Sequence, residues 1–214
     1  MFPDTTAARN VPKGALNVAR WNEILVAAGE VFHEKGYQAA RIEDIAARVG
    51  ILKGSLYYYI SSKEDLLFAL SDQAHSSGVA SIAEPPDLAA ADAPTRLGEF
   101  VRRWCVVLQA NPPYAAVAER DVGRLAGDRY QQVMAKRNEL HGFVRSLLEQ
   151  GIAEGAFDPE VDPGIATNAI FEMMNGTRRW FRPDGAKSTH DIGEWYRGFI
   201  LKGLAIDTHV GSGA

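Results

Sequence analysis

The stretch IEDIAARVGILKGSLYYYI, residues 42 to 60, has the pattern of two short helices that cross at a tight turn. Such a unit needs a small residue where the helices touch and a glycine in the turn, and Ala46 and Gly50 occupy those positions. It also needs apolar side chains on the inner faces of both helices, which are Ile42, Ile45, Val49, Ile51 and Leu56. The spacing of these residues predicts a helix-turn-helix unit.

The second helix of this unit, expected from about Lys53 to Ile60, carries three consecutive tyrosines that cannot all face one core. A helix fits the major groove of DNA, and a tyrosine offers a flat ring to a thymine methyl and a hydroxyl to a phosphate. We expect Tyr57 to face the groove and Tyr58 and Tyr59 to flank it, although a place in the core suits Tyr59 equally well. The outer face is completed by small or basic residues, namely Lys53, Gly54 and Ser55.

A longer helix is predicted to begin directly after the tyrosines, because Ser61 with Glu64, or Ser62 with Asp65, has the spacing of a capping box. Lys63 lies in the first turn of that helix, where a positive charge opposes the helix dipole. A DNA phosphate bound there would remove the conflict, so Lys63 is a candidate phosphate contact. The alternative is an ordinary solvated lysine.

The chain of 214 residues can hold one domain, or a small domain fused to a larger one. It has no apolar run of membrane-spanning length, and its single cysteine, Cys105, suits a reducing compartment, so we expect a cytoplasmic protein without membrane contact. The net charge of −4 disfavours tight non-specific binding to nucleic acid. It does not exclude a specific site, since phosphate contacts need only a local basic surface.

The rest of the chain reads as helices, and the predicted fold class is all-α. The first helix, from Leu16 to Lys35, has an apolar stripe closed by Gly36, and Asp162 with Pro163 is a helix start. A linker-like break covers 83–95. The later helices are expected at about 95–110, 114–126, 128–155, 163–182 and 190–207. The predicted division is a flexible arm at 1–15, a three-helix domain at 16–77, a larger helical domain at 78–208 and a flexible tail at 209–214.

The segment GYQAARIEDIAARVGILKGSLYYYISSKEDLL resembles the DNA-binding domain of the TetR family of transcriptional repressors. The shared elements are Gly36-Tyr37, Asp44-Ile45-Ala46, Gly50, Gly54, Tyr57 and Lys63-Glu64, and the likeness covers roughly residues 16 to 75. It implies base-edge contacts near Lys53, Gly54 and Tyr57. It also implies phosphate contacts from Ser55, Tyr58, Tyr59 and Lys63, with Arg41 nearby.

The same resemblance implies that the larger domain binds a small-molecule effector and forms a homodimer. The last two helices carry apolar faces that suit a four-helix bundle about a two-fold axis, and the alternative is that both form only the core of one subunit. A dimer is favoured because a helix-turn-helix protein reads two half-sites about one DNA turn apart. The candidate interface residues are Ile165, Ala169, Met173, Gly176, Trp180, Ile192, Trp195, Tyr196, Phe199 and Ile200.

An effector pocket is expected on the helices from about 95 to 182. The candidate lining residues are Trp104, Leu108, Tyr114, Val117, Phe143, Leu147, Phe171 and Met174, with Arg120, Asn175 and Arg178 as polar anchors. Core packing is the alternative for each of them. The segments SLLEQGIAEGAF and RRWFRPDG resemble the TetR branch that governs lipid and sterol-ring degradation, whose effectors are acyl-CoA thioesters. Arg179 and Arg182 would then suit a CoA phosphate.

The sequence gives no support to catalysis, since it lacks a phosphate-binding glycine loop, a nucleophile elbow and a metal-binding histidine pair. We expect no cofactor and no metal. The predicted function is a ligand-responsive repressor that binds a palindromic operator as a dimer and leaves it when an effector binds. An activator remains open, as does a helical small-molecule-binding protein or enzyme without specific DNA binding.

Overall fold

The computed structural model describes residues 15–81, 86–110, 112–182 and 184–206, and within these ranges the regular structure is helical, with no strand. The predicted arm and tail lie outside the described residues, apart from Ala15 at the start of the first helix. The helices are α1 Ala15–Lys35, α2 Ile42–Val49, α3 Lys53–Leu56, α4 Lys63–Ser81, α5 Pro86–Ala89, α6 Ala93–Ala110, α7 Pro112–Asp121, α8 Gly127–Ala153, α9 Pro163–Trp180 and α10 Thr189–Leu204. The predicted all-α class is confirmed.

Two predicted elements differ from the structure. Helix α3 ends at Leu56 instead of continuing to Ile60, and the tyrosines lie in a turn that follows it. The amides of Tyr59 and Ile60 both donate to the Leu56 carbonyl, and this turn carries Ile60 back into the core, where it is fully buried. The expected linker at 83–95 contains the short helix α5 and the start of α6.

Contacts group the described residues into two compact units, the first made of residues 15–75 and 112–134 and the second of 76–110 and 135–206. The predicted boundary between residues 77 and 78 lies two residues from the point where α4 passes from one unit to the other. The sequence did not predict that residues 112–134 belong to the first unit. This placement has no signal in the helical periodicity, which identifies apolar faces but not the helices that cover them.

The core of the first unit is built on the predicted stripe of α1. Its six residues, Trp21, Ile24, Leu25, Ala28, Val31 and Phe32, are all buried, as predicted. They pack with Ile45, Ala46 and Leu56 of the helix-turn-helix unit and with Val117 and Val133. Helices α2 and α3 therefore pack against the apolar stripe of α1.

The second unit packs α9 and α10 against α6 and the second half of α8. Its buried core includes Phe100, Trp104, Leu147, Phe171 and Met174. Helices α6 and α10 lie close together at Gly193, where an added Cβ would stand 3.3 Å from the Arg102 Cα atom. The predicted start of α9 is confirmed, since the Asp162 carboxylate accepts a hydrogen bond from the Ile165 amide at 2.8 Å. No helix in the described ranges is long and apolar enough to cross a bilayer.

Candidate DNA-binding surface and effector region

Gly50 forms the turn between α2 and α3 in a left-handed conformation, with φ of +75°. Its amide and that of Ile51 donate to carbonyls in the last turn of α2, at 3.2 Å to Ala47 and 2.9 Å to Ala46. A residue with a Cβ atom would be strained in this conformation. The turn therefore allows α3 to cross α2, as the spacing predicted, with Leu56 buried beneath it.

The tyrosine triplet divides between solvent and core. The side chain of Tyr58 is 88% exposed and that of Tyr57 is 47% exposed, whereas Tyr59 is half-buried against the core of the first unit. Lys53 and Gly54 are exposed beside them, and Ser55 is half-buried. Lys53, Gly54, Tyr57 and Tyr58 are thus exposed together on α3 and the following turn, and their contacts with DNA remain predictions.

An ion pair that the sequence did not suggest lies on this face. The Lys53 Nζ atom is 2.6 Å from the Glu43 Oε1 atom, and both side chains are about half exposed. The ammonium lowers the pKa of Glu43 below its ordinary value, and the carboxylate raises the pKa of Lys53, so both groups stay charged. Glu43 lies ten residues before Lys53, and only the crossing of α2 and α3 brings the two side chains together.

Two further residues complete the surface. Arg41 is exposed directly before α2, and its amide donates to the Asp44 carboxylate at 3.0 Å. Asp44 also pairs with Lys35 of α1 at 2.8 Å, which fixes the start of α2. Leu52 precedes α3 and is 80% exposed, an apolar side chain on an otherwise polar surface.

Lys63 has an internal role that the sequence did not predict. Its Nζ atom donates to the carbonyls of Tyr37, Gln38 and Ala40 at 2.7, 3.2 and 2.9 Å and lies 4.6 Å from the centre of the Tyr37 ring. An ammonium has three N–H donors, so all three are engaged within the domain. Partial burial lowers the pKa of Lys63 from its ordinary value. A phosphate contact by Lys63 remains a prediction, but these carbonyls already accept its three N–H donors.

Of the two capping boxes predicted for α4, the structure forms half of the one between Ser62 and Asp65, because the Ser62 hydroxyl donates to Asp65 and does not accept from its amide. The Asp65 carboxylate accepts the amides of Ser61 at 2.6 Å and Ser62 at 3.1 Å. Burial by itself would raise the pKa of Asp65, but these hydrogen bonds and the Arg129 guanidinium outweigh it and lower the pKa. The start of α4 is therefore held by the side chains of Lys63 and Asp65.

In the second unit the structure brings together part of the predicted effector set. Trp104 Nε1 donates to Asn175 Oδ1 at 3.2 Å, and the Arg178 guanidinium donates to the same oxygen at 3.4 Å. Phe171 packs edge-on against Trp104 with ring centres 5.3 Å apart. His141, which the sequence did not suggest, stacks on Phe171 at 4.2 Å. Phe143, Leu147 and Met174 belong to the same apolar cluster.

The other predicted pocket residues are not placed with this group. Val117 is buried in the core of the first unit, and the Arg120 guanidinium donates to the Phe32 carbonyl at 2.8 Å and pairs with Asp121. Leu108 and Tyr114 lie in α6 and α7, but their side chains are outside the described residues. Val117 and Arg120 lie in the first unit because α7 packs on α1, and their role in effector binding remains a prediction.

The predicted interface residues separate into two faces. Ile192, Tyr196, Ile200 and Gly176 are buried within their own subunit, and the Thr177 hydroxyl donates to the Tyr196 hydroxyl at 2.9 Å. These residues are intramolecular core, which was the alternative interpretation. The exposed members are Ile165, Ala169, Trp180, Trp195 and Phe199, and Met173 is half-buried.

The buried inner faces, the left-handed turn and the outward tyrosines define a helix-turn-helix DNA-binding regulator with a second helical unit. Residues 24–70 match the family of bacterial regulatory proteins called tetR, and residues 90–204 match the tetracyclin repressor-like C-terminal domain. The second match alone covers more than half of the chain. The protein belongs to the TetR family of transcriptional regulators.

Relatives with this fold match along most of the chain. The transcriptional repressor KstR2 of Mycobacterium tuberculosis is 27% identical over 187 residues, covering 87% of this chain and 93% of that protein. The structure of KstR2, a ketosteroid transcriptional regulator, aligns with a TM-score of 0.79 and 26% identity over 88% of this chain and 96% of its own. PfmR from Thermus thermophilus aligns with a TM-score of 0.75 and 31% identity, over 86% of this chain and 99% of its own.

A third solved structure, AibR in complex with isovaleryl coenzyme A and operator DNA, aligns with a TM-score of 0.74. It is 22% identical and covers 85% of this chain and 98% of its own, so the likeness shows a shared fold. In the described part of the present protein, no three histidine, cysteine or acidic side chains are grouped as a metal site would require.

The environment of Lys63 predicts that Lys63→Met destabilises the first unit. Removal of the ammonium leaves the carbonyls of Tyr37, Gln38 and Ala40 without their donor, which costs about 1–3 kcal/mol. Urea denaturation followed by circular dichroism measures the free energy of unfolding. Lys53→Met is the matched control, because it removes a single exposed ion pair, which contributes little to stability. Equal effects of the two substitutions would contradict a clamping role for Lys63.

Proposed function

We propose that the protein is a dimeric repressor that occupies a palindromic operator and is released by a small-molecule effector. The main support is the exposed surface formed by Lys53, Tyr57 and Tyr58. These residues are exposed while the apolar inner face of the same helix-turn-helix unit is buried in the core. A dimer would place this face in two successive major grooves about 34–36 Å apart. The relative KstR2 is a transcriptional repressor, which supports repression rather than activation.

The assignment to regulation rather than catalysis rests on the same surface. An enzyme or a pure protein-interaction module would leave an outward lysine and two tyrosines on a helix-turn-helix unit without a role. The proposal gives the protein no catalytic activity and no cofactor. Because the operator of a bacterial regulator lies in the cytoplasm, that is the compartment we expect.

The exposed apolar residues of α9 and α10 support dimerisation through these helices. The side chains of Ile165, Trp180, Trp195 and Phe199 are 71%, 55%, 62% and 56% exposed. Trp195 and Phe199 stack on each other with ring centres 5.1 Å apart. Large aromatic side chains grouped on the surface of one subunit are typical of an interface with another protein.

The effector would bind in the second unit beside the group formed by Trp104, Phe171 and Asn175. We propose an acyl-CoA thioester, whose acyl chain would meet the aromatic rings. Arg179 and Arg182, both exposed near the end of α9, would meet the CoA phosphates. Support comes from the ketosteroid regulator KstR2 and from AibR, which was solved with isovaleryl coenzyme A. The operator would be released if the effector favoured a conformation in which the two DNA-binding surfaces of the dimer no longer match the spacing of the half-sites.

Selection of random duplex DNA by the purified protein tests the operator, and a palindrome is the expected result. On the selected duplex, Tyr58→Ala should weaken binding about tenfold, because it removes the most exposed ring of the face. Tyr58→Phe separates the ring from the hydroxyl and serves as the control. A folded dimeric protein that enriches no sequence would refute the assignment of this face to DNA.

The double substitution Trp195→Ala and Phe199→Ala should raise the dissociation constant of the dimer at least tenfold, since buried aromatic anchors dominate interface energies. Sedimentation velocity over a range of protein concentrations measures the constant. The control is Val106→Ala on α6, a side chain that is 55% exposed outside the predicted interface. An unchanged dimer in the double variant would place the interface elsewhere.

Calorimetric titration with a series of long acyl-CoA thioesters should give binding heat, and the bound thioester should release the selected operator duplex. Arg182→Ala should weaken binding of the thioester and of free CoA, because one phosphate contact is lost. Arg145→Ala removes an exposed arginine of α8 and is the control. Absence of heat from every thioester would exclude this effector class and leave the operator assignment intact.

A further inference from the structure

The ion pair between Glu43 and Lys53 is poorly explained by stability alone. Both side chains are about half exposed, at 55% and 51%, and an exposed ion pair contributes little to stability. A carboxylate on a surface that approaches phosphates also opposes binding through like-charge repulsion. Glu43 favours the dipole of α2, since it lies in the first turn, but it reduces the attraction of this surface for DNA in general. A contribution to the choice of sequence would offset that loss.

The position of the pair suits contact with bases. Lys53 is the first residue of α3, the helix expected to enter the major groove, and Glu43 is in the first turn of α2 beside it. An ammonium has three N–H donors, of which Glu43 accepts one, so two remain to point toward the groove. The carboxylate has a second oxygen and further lone pairs that could accept hydrogen bonds.

The chemistry of base edges then selects one base pair. In the major groove guanine presents two acceptors, O6 and N7, which are the usual partners of lysine, and cytosine presents the N4 amino donor, which suits glutamate. A guanine and its paired cytosine would therefore satisfy Lys53 and Glu43 together. A thymine would place its O4 acceptor against the carboxylate, which is repulsive.

We infer that Glu43 and Lys53 act as one reading unit that selects a G·C pair in each half-site. Glu43 orients the Lys53 ammonium toward guanine and accepts from the cytosine amino group. The inference rests on the proposed operator binding and adds to it a named base pair and a residue, Glu43, that gives specificity.

The test is selection of random duplex DNA at one near-physiological salt concentration by four proteins: the unmodified chain, Glu43→Gln, Lys53→Ala and Glu149→Gln. Glu43→Gln keeps the shape of the side chain and removes its charge. Glu149→Gln is the matched control, because it removes the same charge from a similar exposed ion pair, with Arg145 at 2.8 Å on α8. Circular dichroism checks that each variant is folded.

The expected result is a palindrome with a G·C pair at one position of each half-site. Both Glu43→Gln and Lys53→Ala should lose the preference at that same position by about tenfold, the usual size for one good base contact, while the other positions are retained. The control Glu149→Gln should give the original palindrome unchanged.

Three results would overturn the inference while leaving the operator assignment in place. In the first, the two substitutions change the preference at different positions of the half-site. In the second, Glu43→Gln strengthens binding to all sequences and leaves the base frequencies unchanged, which is expected if Glu43 only repels phosphates. The palindrome could also have no G·C pair at the affected position. If the unmodified, folded protein enriches nothing, the proposed function and this inference both fail.

Discussion

The burial of Ile45 and Leu56 against α1 is the contact on which the proposed function depends. Both side chains are fully buried, and the left-handed turn at Gly50 allows the two helices that carry them to cross. Leu56 points inward from α3, whereas Lys53 and the first two tyrosines are exposed. A change in this packing would redirect the exposed face without altering any residue on it.

The polar residues around this core fall into two groups that look alike in the sequence. Lys63 and Asp65 bind backbone groups of the domain and hold the start of α4. Lys53 and Tyr58 have their side chains in solvent. Buried polar groups need partners, so Lys63 has a structural role whether or not it also meets a phosphate. Assignments based on residue type alone cannot separate these roles.

Helical periodicity predicted α9 and α10 but not which side of each helix meets its own subunit. On α10, Tyr196 and Ile200 pack inward while Trp195 and Phe199 remain exposed one residue away. Successive residues are about 100° apart around a helix, so a wide apolar face can serve a core and an interface at once. The predicted pocket set also included Val117, which the packing of α7 on α1 places in the core of the first unit.

The sequence by itself determined the all-α class, the helix-turn-helix unit and the outward tyrosines, because these depend on short-range spacing of apolar residues and on Gly50. It also determined the cap at Asp162, a contact across three residues. Only the tertiary structure decided which residues separated along the chain meet. Glu43 reaches Lys53 because two helices cross, and Lys63 reaches the Tyr37 carbonyl because α4 returns past the end of α1. Such pairs depend on the packing of whole helices, which local spacing does not encode.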